Sequence, residues 1–256
     1  MAGPRQLLAE LSWEEVAARR PGQPVVLLPV GATEAHGPHL PLGTDVMLSE
    51  ELAARAQQQL QQLGVETLIA PSLAYAVAEF GAPFCGNVSI RPDTAAALVA
   101  DVCEGLHRGG LERVCLVNSH LEPAHVAALR QGIAEAMRRT GATVALADPT
   151  ERRWARTLSE EYRRGDCHAG RYETALLLAA RPELVRGAAE LPANPARFLA
   201  AVRGGARTFV EAGGPRAYFG DPAAATAQEG EQLFALLVQM VVQTVLETWP
   251  PDRPAG

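Results

Sequence analysis

Short apolar runs alternate with longer helical patterns from Val25 to Ala147, and this alternation restricts the fold more than any other feature of the sequence. Each apolar run is followed by a segment with helical periodicity. Strand and helix in repeated alternation predict an α/β fold, with a mainly parallel sheet flanked by helices. The predicted strands are 25–30, 66–73, 113–117 and 142–147, and the predicted helices between them are 48–63, 94–109 and 123–139.

The length of 256 residues suffices for one α/β domain with a sizeable core, so we expect a single domain over residues 1–256. Residues 182–222 are rich in Gly, Pro and Ala and have few periodic apolar positions, which predicts a long surface excursion. A last helix is expected from about Ala223 to Trp249. The Pro-rich tail after it is expected to be frayed.

Composition argues against several classes of protein. The formal net charge of −6, without a basic run, argues against a nucleic-acid partner. No apolar run has the length of a membrane span and no signal-peptide pattern is present, so we expect a cytoplasmic protein without a membrane partner. The sequence contains no lysine, which excludes Schiff-base chemistry, pyridoxal phosphate and GxxxxGK phosphate loops.

Metal-capable side chains follow two of the predicted strands. Glu34 and His36 come after strand 25–30, and His120 and Glu122 come after strand 113–117. Side chains two positions apart in extended backbone point the same way, and ligands of parallel sheets bind beyond the carboxyl ends of strands. Two pairs of imidazole and carboxylate at one sheet edge suit Zn²⁺, Mn²⁺ or Fe²⁺.

Asp45 lies between these two pairs in the sequence. Three carboxylates and two imidazoles exceed the ligands that one tetrahedral ion takes, so two ions bridged by Asp45 are the economical interpretation. In the alternative interpretation Asp45 is only a helix N-cap and each histidine is an ordinary loop residue. Recurrence of the pair at two strand ends favours ligands. His39, which precedes Leu-Pro, is expected to be structural.

A third polar element lies in GDCHAGRYETALLLA. His168 sits there on a loop of small residues, where an imidazole can approach a ligand and donate the proton that metal-assisted amide cleavage requires. Glu173 falls in the first turn of the following predicted helix. A carboxylate at that position is often only a favourable partner of the helix dipole.

The motifs GATEAHGPHLPLGTD, NSHLEP and HAGRYET, in this order and at these intervals, resemble those of the creatininase (creatinine amidohydrolase) family. The similarity runs from about Val25 to Thr174, and TAQEGEQL resembles the family's last helix. The resemblance implies a homohexameric hydrolase with two metal ions per chain, which cleaves carbon–nitrogen bonds of amide type.

The resemblance also implies roles for individual residues. It places Glu34 and His120 on one ion and His36 and Glu122 on the other, and the implied metal ligands are Glu34, His36, Asp45, His120 and Glu122. His168 and Glu173 fall on the family's other active-site positions and are expected to be catalytic. We expect Glu122 to accept a proton from water as well, and His168 to donate one to the departing nitrogen.

This sequence departs from creatininase at the wall of the substrate site. Leu121 and Cys167 replace a tyrosine and an acidic residue, and FCGN, from Phe84, stands where the family usually has Phe-Pro-Gly-Thr. The segment before His168 is shorter. Trp154 is the candidate substrate-binding residue, although a core or surface aromatic is as plausible. This protein is therefore expected to share the type of reaction with creatininase more closely than the substrate.

The expected function is hydrolysis of a cyclic amide, another small amide or a peptide, with zinc, manganese or iron as the metals. Creatinine hydrolysis proper is one alternative. A metal-independent cysteine hydrolase using Cys167 or Cys115 is another, because Cys167 adjoins His168. A non-catalytic binding module on the same fold is the third.

Overall fold

Four apolar runs form a parallel sheet in this computed structural model, which describes residues 5–250. The strands, in the spatial order β2-β1-β3-β4, are β1 (Val25–Val30), β2 (Thr67–Ile69), β3 (Arg113–Asn118) and β4 (Val144–Ala147). In the β1–β3 ladder Val30 lies opposite Asn118, so both strands end at the same edge of the sheet. The predicted α/β fold is confirmed. The tail from residue 251, expected to be frayed, lies outside the described residues.

Helices connect the strands, as the alternation predicts. The α-helices of residues 5–250 are α1 (Trp13–Arg19), α2 (Thr44–Gln62), α3 (Pro92–Arg108), α4 (Pro123–Thr140), α5 (Arg152–Ala155), α6 (Glu160–Arg164), α7 (Arg171–Ala180), α8 (Phe198–Arg203) and α9 (Ala227–Thr248). Short 3₁₀ turns occupy Leu8–Glu10, Arg20–Gly22, Glu79–Gly81, Pro182–Leu184, Ala188–Glu190 and Pro222–Ala224. Within this described part, no helix is both long enough and apolar enough to span a bilayer.

The side chains of β1 alternate between two apolar clusters. Val25 and Leu27 belong to a cluster with residues of α2, α7 and α9, whereas Val26 and Leu28 belong to a cluster with residues of α3 and α4. The sheet is therefore covered on both faces, which explains why its strands are continuous apolar runs. Its loops at the carboxyl edge are left to carry the polar groups.

Segment 182–222 folds back towards the end of β1. Phe209 and Phe219 are only 2% and 0% exposed, and they form an apolar cluster with Ala35 from the loop after β1. Phe198 packs against this cluster. The segment is thus less superficial than its composition suggests, because its few aromatic side chains bury one another against that loop.

Candidate metal centre

The loop after β1 makes close contact with the first turn of α2 at Gly31. A Cβ on Gly31 would lie 2.4 Å from the backbone nitrogen of Val46, so a glycine is required here. This contact places Asp45, in the first turn of α2, beside Glu34 and His36. The three side chains belong to residues that are 1–2% exposed, so their charges are almost completely removed from water.

His36 presents one ring nitrogen to two carboxylates. Its Nδ1 lies 3.0 Å from the Glu34 carbonyl oxygen, which can only accept, so Nδ1 is the donor in this hydrogen bond. In the neutral ring Nε2 then carries a lone pair, and it lies 3.2 Å from Asp45 Oδ1 and 3.5 Å from Glu173 Oε2. Lone pairs facing one another at these distances need a proton or a metal cation between them.

His120 repeats this arrangement from the end of β3. Its Nε2 donates to the Val77 carbonyl oxygen at 2.8 Å, while Nδ1 lies 2.9 Å from Asp45 Oδ2 and 3.3 Å from Glu34 Oε2. The Asn118 amide holds the turn by donating to the His120 carbonyl at 2.6 Å and accepting from the His120 N–H at 3.2 Å. Asp45 therefore offers one oxygen to each imidazole, which is the geometry expected of a bridge.

The first turn of α7 brings another carboxylate to the cluster. Glu173 is 5% exposed, and its Oε2 accepts a hydrogen bond from the Ala169 N–H at 2.6 Å. The neighbouring Thr174 hydroxyl lies 2.9 Å from His39 Nε2, which attaches the loop after β1 to α7. This contact agrees with the structural role expected for His39.

His168 lies at the border of the cluster. Its Nε2 donates to the Ala35 carbonyl oxygen at 2.9 Å, and its Nδ1 lies 3.9 Å from Glu34 Oε2. The ring stacks on Phe209, with centroids 4.0 Å apart and an angle of 20° between the planes. The next residue, Ala169, has a φ of 47°, an uncommon conformation for a residue with a Cβ. The loop that carries His168 is therefore strained beside the site.

Three groups of side chains have ligand atoms close enough to share a metal ion. With these atoms within 4.8 Å of one another, the groups are Glu34, His120 and Glu122; His36, Asp45 and Glu173; and Glu34, His36 and His168. The first two groups divide the cluster into two candidate ion sites. Glu122 thus lies with Glu34 and His120, whereas the family resemblance paired it with His36. Glu173 takes the place beside His36.

The imidazoles lie in a strongly negative environment. Burial lowers the pKa of His36, but the carboxylates of Asp45 and Glu173 outweigh burial and raise this pKa to about 10. Burial also opposes protonation of His120, and there Glu34 and Asp45 raise the pKa well above its ordinary value. The protein alone therefore attracts positive charge to both ring nitrogens that face the carboxylates.

The pKa values of Glu122, Glu173 and His168 are shifted mainly by burial. Burial raises the pKa of Glu122 to about 7, although the charge of His120 opposes the shift. Burial likewise raises the pKa of Glu173 to about 8 against the charge of His36. Burial, then the positive charge of His36, lowers the pKa of His168 to about 4. Such shifts on side chains that meet in a cavity are typical of functional sites.

Buried polar atoms without partners show that the cluster fits metal ions. Within the described chain Glu34 Oε1, His36 Nε2 and Asp45 Oδ2 make no hydrogen bond. Buried polar atoms are normally paired, so each unpaired one requires an explanation. Both imidazoles donate their other nitrogen to a backbone carbonyl, as metal-binding histidines usually do. Imidazoles with carboxylates suit zinc or manganese.

The cluster opens into a cavity of about 460 Å³, a size typical of sites for small organic ligands. Glu34, Asp45, His120, Glu122, His168 and Glu173 line it on the metal side. The other walls are largely apolar, with Phe80, Leu121, Val126, Phe198, Leu199 and Phe209, and they also include Arg130 and Arg163. A substrate in this cavity would touch apolar side chains together with the imidazoles and carboxylates of the cluster.

Trp154 does not line this cavity in the part of the chain that the structure describes. Its side chain packs against the cluster of α2, α7 and α9, and the Arg153 guanidinium lies 4.7 Å from its ring centroid. The alternative interpretation of Trp154 as a core aromatic agrees with this position.

The aromatic and basic walls of the cavity are formed by residues that no sequence motif predicted. Phe198 and Phe209 come from segment 182–222, and Arg163 comes from the short helix α6. No local pattern connects these residues with the strand ends. Arg130 and Val126 are four positions apart on α4 and therefore lie on the same face of this helix, which begins directly after Glu122. This spacing was the only sequence feature that could have placed them near the cluster.

The two candidate cysteine nucleophiles are buried thiols. Burial raises the pKa of Cys115 to about 12. Burial also raises the pKa of Cys167 well above its ordinary value, and the charge of Glu173 adds to this effect. Because the thiolate is the nucleophile, neither environment supports a cysteine hydrolase.

Comparisons with known proteins agree with this site. The family described as "Creatininase: Creatinine amidohydrolase" matches residues 9–245. The "Mycofactocin precursor peptide peptidase" of Mycobacterium ulcerans (strain Agy99) is 33% identical over 235 residues, which cover 89% of this chain and 86% of that protein. The "Creatinine amidohydrolase" of Pseudomonas putida is 33% identical over 121 residues, 45% of each chain. The solved structure "Creatininase Mn" has a TM-score of 0.79 and 26% identity, covering 97% of this chain and 100% of that one.

Proposed function

Since this chain belongs to the creatininase (creatinine amidohydrolase) family, we propose that it is a binuclear metal-dependent enzyme that hydrolyses a peptide-like amide. Membership makes it an amidohydrolase, an enzyme that acts on carbon–nitrogen bonds. One observation carries the proposal. Two groups of buried metal-binding side chains meet at Asp45 and open together into one cavity.

The proposed metal ligands follow the grouping in the structure. They are Glu34, His120 and Glu122 for one ion, and His36 and Glu173 for the other, with Asp45 as the bridge. Zinc and manganese are the proposed metals because the ligands are imidazoles and carboxylates, and iron is the alternative. The similar structure "Creatininase Mn" supports manganese. A cytoplasmic location, expected from the sequence, and a homohexamer, implied by the family resemblance, belong to the proposal as well.

Bound divalent ions lower the pKa of a water molecule and polarise a carbonyl oxygen. The side chains of the protein must then move protons. Glu122 lines the cavity and accepts the Phe80 N–H at 3.4 Å through Oε2. Because burial raises its pKa to about 7, we assign it the proton of the attacking water in addition to its proposed ligand role. His168 keeps its Nε2 proton on the Ala35 carbonyl, and its pKa of about 4 leaves Nδ1 unprotonated at neutral pH. Nδ1 would therefore first accept the proton that Glu122 takes from the water and then pass it to the departing nitrogen.

The cavity favours a substrate larger than creatinine. Its volume of about 460 Å³ exceeds what a small ring occupies, and Leu121 gives the wall an apolar surface. The relative named a precursor peptide peptidase matches 89% of this chain, whereas the match to creatinine amidohydrolase covers 45%. A peptide or peptide-like amide is therefore the proposed substrate, and creatinine is the alternative.

Chelation is expected to abolish amide hydrolysis, while alkylation of thiols is not. Dialysis against phenanthroline or EDTA should remove activity, because activation of the attacking water requires the metal ions. Added Zn²⁺ or Mn²⁺ should restore it. Cys85 is exposed whereas Cys115 and Cys167 are buried, so iodoacetamide should label Cys85 without loss of activity. Turnover and mass spectrometry on the same samples provide the measurement.

The opposite pattern would favour the cysteine hydrolase. If labelling of Cys167 removes activity and chelation does not, the metal-dependent mechanism is wrong. Two bound ions without turnover of any lactam, formamide or peptide would instead favour a non-catalytic binding module.

Creatinine is expected to be a poor substrate. Because Leu121 stands where creatininase has a tyrosine, we expect a creatinine kcat/KM well below about 10⁴ M⁻¹s⁻¹, together with hydrolysis of another amide from a panel of lactams, formamides and peptides. Steady-state kinetics with metal-loaded protein test this. A creatinine kcat/KM at or above that range would make this protein a creatininase proper.

A further inference from the structure

Two exposed arginine side chains belong to the cavity wall and not to the metal cluster. They are Arg130 of α4 and Arg163 of α6, and they line the cavity together with apolar side chains such as Val126 and Phe198. A guanidinium group offers a permanent positive charge and a planar set of N–H donors that match a carboxylate, and exposure leaves both groups open to a ligand. Neither arginine has a role in the hydrolysis itself.

Arg130 is held in place by a buried carboxylate. Its Nη2 donates to Asp148 Oδ2 at 2.6 Å, and the Asp148 residue is 2% exposed. The other oxygen of Asp148 accepts from the Thr150 N–H at 2.8 Å and from its hydroxyl at 2.6 Å. A guanidinium group has five N–H donors, so Arg130 keeps donors for a second acceptor while its position is fixed.

Arg163 has no ion-pair partner among the residues that the structure describes. The adjacent Arg164, by contrast, pairs with Glu160. Glu161 is also engaged elsewhere, since its carboxylate accepts the backbone N–H of Tyr172 at 3.0 Å. No neighbouring carboxylate therefore neutralises the positive charge that Arg163 brings to the cavity.

The charges of the cavity leave a positive excess once the proposed ions are bound. The carboxylates that line it are Glu34, Asp45, Glu122 and Glu173. The negative charge of these four carboxylates cancels the positive charge of two divalent cations. Asp148 balances Arg130, so Arg163 remains as the uncompensated charge of the cavity. A neutral cyclic amide gives this charge no partner, whereas a substrate with a carboxylate does.

The length of α4 gives the approximate distance between the backbone of Arg130 and the metal cluster. α4 begins at Pro123, directly after Glu122, and Arg130 is seven residues further on. At a rise of 1.5 Å per residue this is roughly 10 Å along the helix. An extended peptide rises about 3.3 Å per residue, so this distance corresponds to roughly three residues of substrate.

We propose that Arg163, which lines the same cavity as Arg130, binds a carboxylate that the substrate carries a few residues from the cleaved amide. This inference rests on the proposed amidohydrolase function and names a feature of its substrate. A free peptide C-terminus and an acidic side chain offer the same carboxylate chemistry.

Three tripeptides distinguish these sources on metal-loaded enzyme. They are acetyl-Ala-Val-Leu with a free carboxylate, the same peptide as its C-terminal amide, and acetyl-Ala-Val-Glu amide, whose one carboxylate is on the side chain. Calorimetry gives the dissociation constant of each, and kcat/KM is measured wherever cleavage occurs. The wild-type enzyme is expected to prefer one carboxylate peptide over the uncharged peptide by about tenfold or more.

Arginine variants assign that preference to the cavity. Arg163→Gln should remove most of it, Arg130→Gln should reduce it, and Arg163→Lys should restore part of it because the charge is kept. Arg164→Gln is the matched control, since Arg164 is also exposed on α6 but does not line the cavity, and it should keep the full preference. Metal content should be unchanged in all four variants. Tm should be unchanged in all except Arg130→Gln, which leaves the buried Asp148 carboxylate without its ion-pair partner.

Three results would overturn the carboxylate site. They are equal affinity of wild-type enzyme for all three peptides, failure of all three to bind, and a preference that persists in Arg163→Gln, which would place the carboxylate on the metals instead. A different result would overturn the proposed amidohydrolase function but not the carboxylate site. In that result carboxylate binding depends on Arg163, while no amide in any panel is hydrolysed.

Discussion

Asp45→Ala is expected to release both metal ions and to reduce amide hydrolysis to background. Asp45 offers Oδ1 to His36 at 3.2 Å and Oδ2 to His120 at 2.9 Å, so one carboxylate serves both groups of ligands. Its removal takes a ligand and a negative charge from each ion at once. Glu122→Ala should weaken the binding of only one ion, the one that Glu34 and His120 are proposed to hold. Asp45→Ala should therefore lose more metal than any other single ligand variant.

Elemental analysis of protein purified without chelator and resupplied with Zn²⁺ or Mn²⁺ measures this loss. Asp93→Ala is the matched control, because Asp93 is an exposed carboxylate in the first turn of α3 and should cost only about 0.3–1 kcal/mol of helix-dipole interaction. The N-cap of α2 is Gly43, and in residues 5–250 the Asp45 carboxylate bonds no backbone N–H. If Asp45→Ala nevertheless binds both ions normally, the bridge is wrong and Asp45 only supports the helix.

The fold could be predicted from the sequence because burial on both faces makes each strand a continuous apolar run. β1 covers Val25–Val30 as predicted, and β3 extends one residue beyond its predicted end. The predicted strand 66–73 was too long, since β2 covers only Thr67–Ile69. Pro71 explains the early end, because proline has no N–H for the ladder.

The candidate site was predictable only where its geometry is local. Glu34 and His36 meet the ligands after β3 because parallel strands end at one edge of the sheet. The pairing of Glu173 with His36, and the stacking of Phe209 on His168, depend instead on how distant segments pack. His168 contacts Ala35 across a separation of 133 residues. No periodicity or spacing in the sequence predicts contacts between segments so far apart. Much of the cavity wall is formed by residues from such distant segments.

His168→Ala is expected to keep both metal ions and to lose about 10²- to 10⁴-fold in kcat, the usual contribution of a general acid or base. Its Nδ1 lies 3.9 Å from Glu34 Oε2, beyond hydrogen-bond distance, whereas His36 and His120 approach carboxylates at 3.2 and 2.9 Å. His168 is thus the imidazole of the cluster that is least engaged with carboxylates. Its free nitrogen is the one available to carry a proton to substrate.

Two other roles for His168 give different results. Glu34, His36 and His168 lie close enough to hold an ion, and a ligand role predicts metal loss on substitution. A structural role predicts a lower Tm with proportionate activity in the folded fraction, since the ring stacks on Phe209 and bonds Ala35. His168→Gln can keep a donor for the Ala35 carbonyl without replacing the proton-transfer group, so it separates stability from chemistry.

His120→Ala provides the contrast with both His168 variants. It removes a nitrogen that faces two carboxylates, so metal content and activity should fall together. His168→Gln should be equally inactive but contain two ions and melt near the wild-type temperature. Metal stoichiometry, Tm and kcat measured on one preparation of each variant decide between the roles, because only proton transfer predicts loss of kcat alone. A folded, metal-replete His168→Gln enzyme with nearly normal kcat would remove His168 from the mechanism.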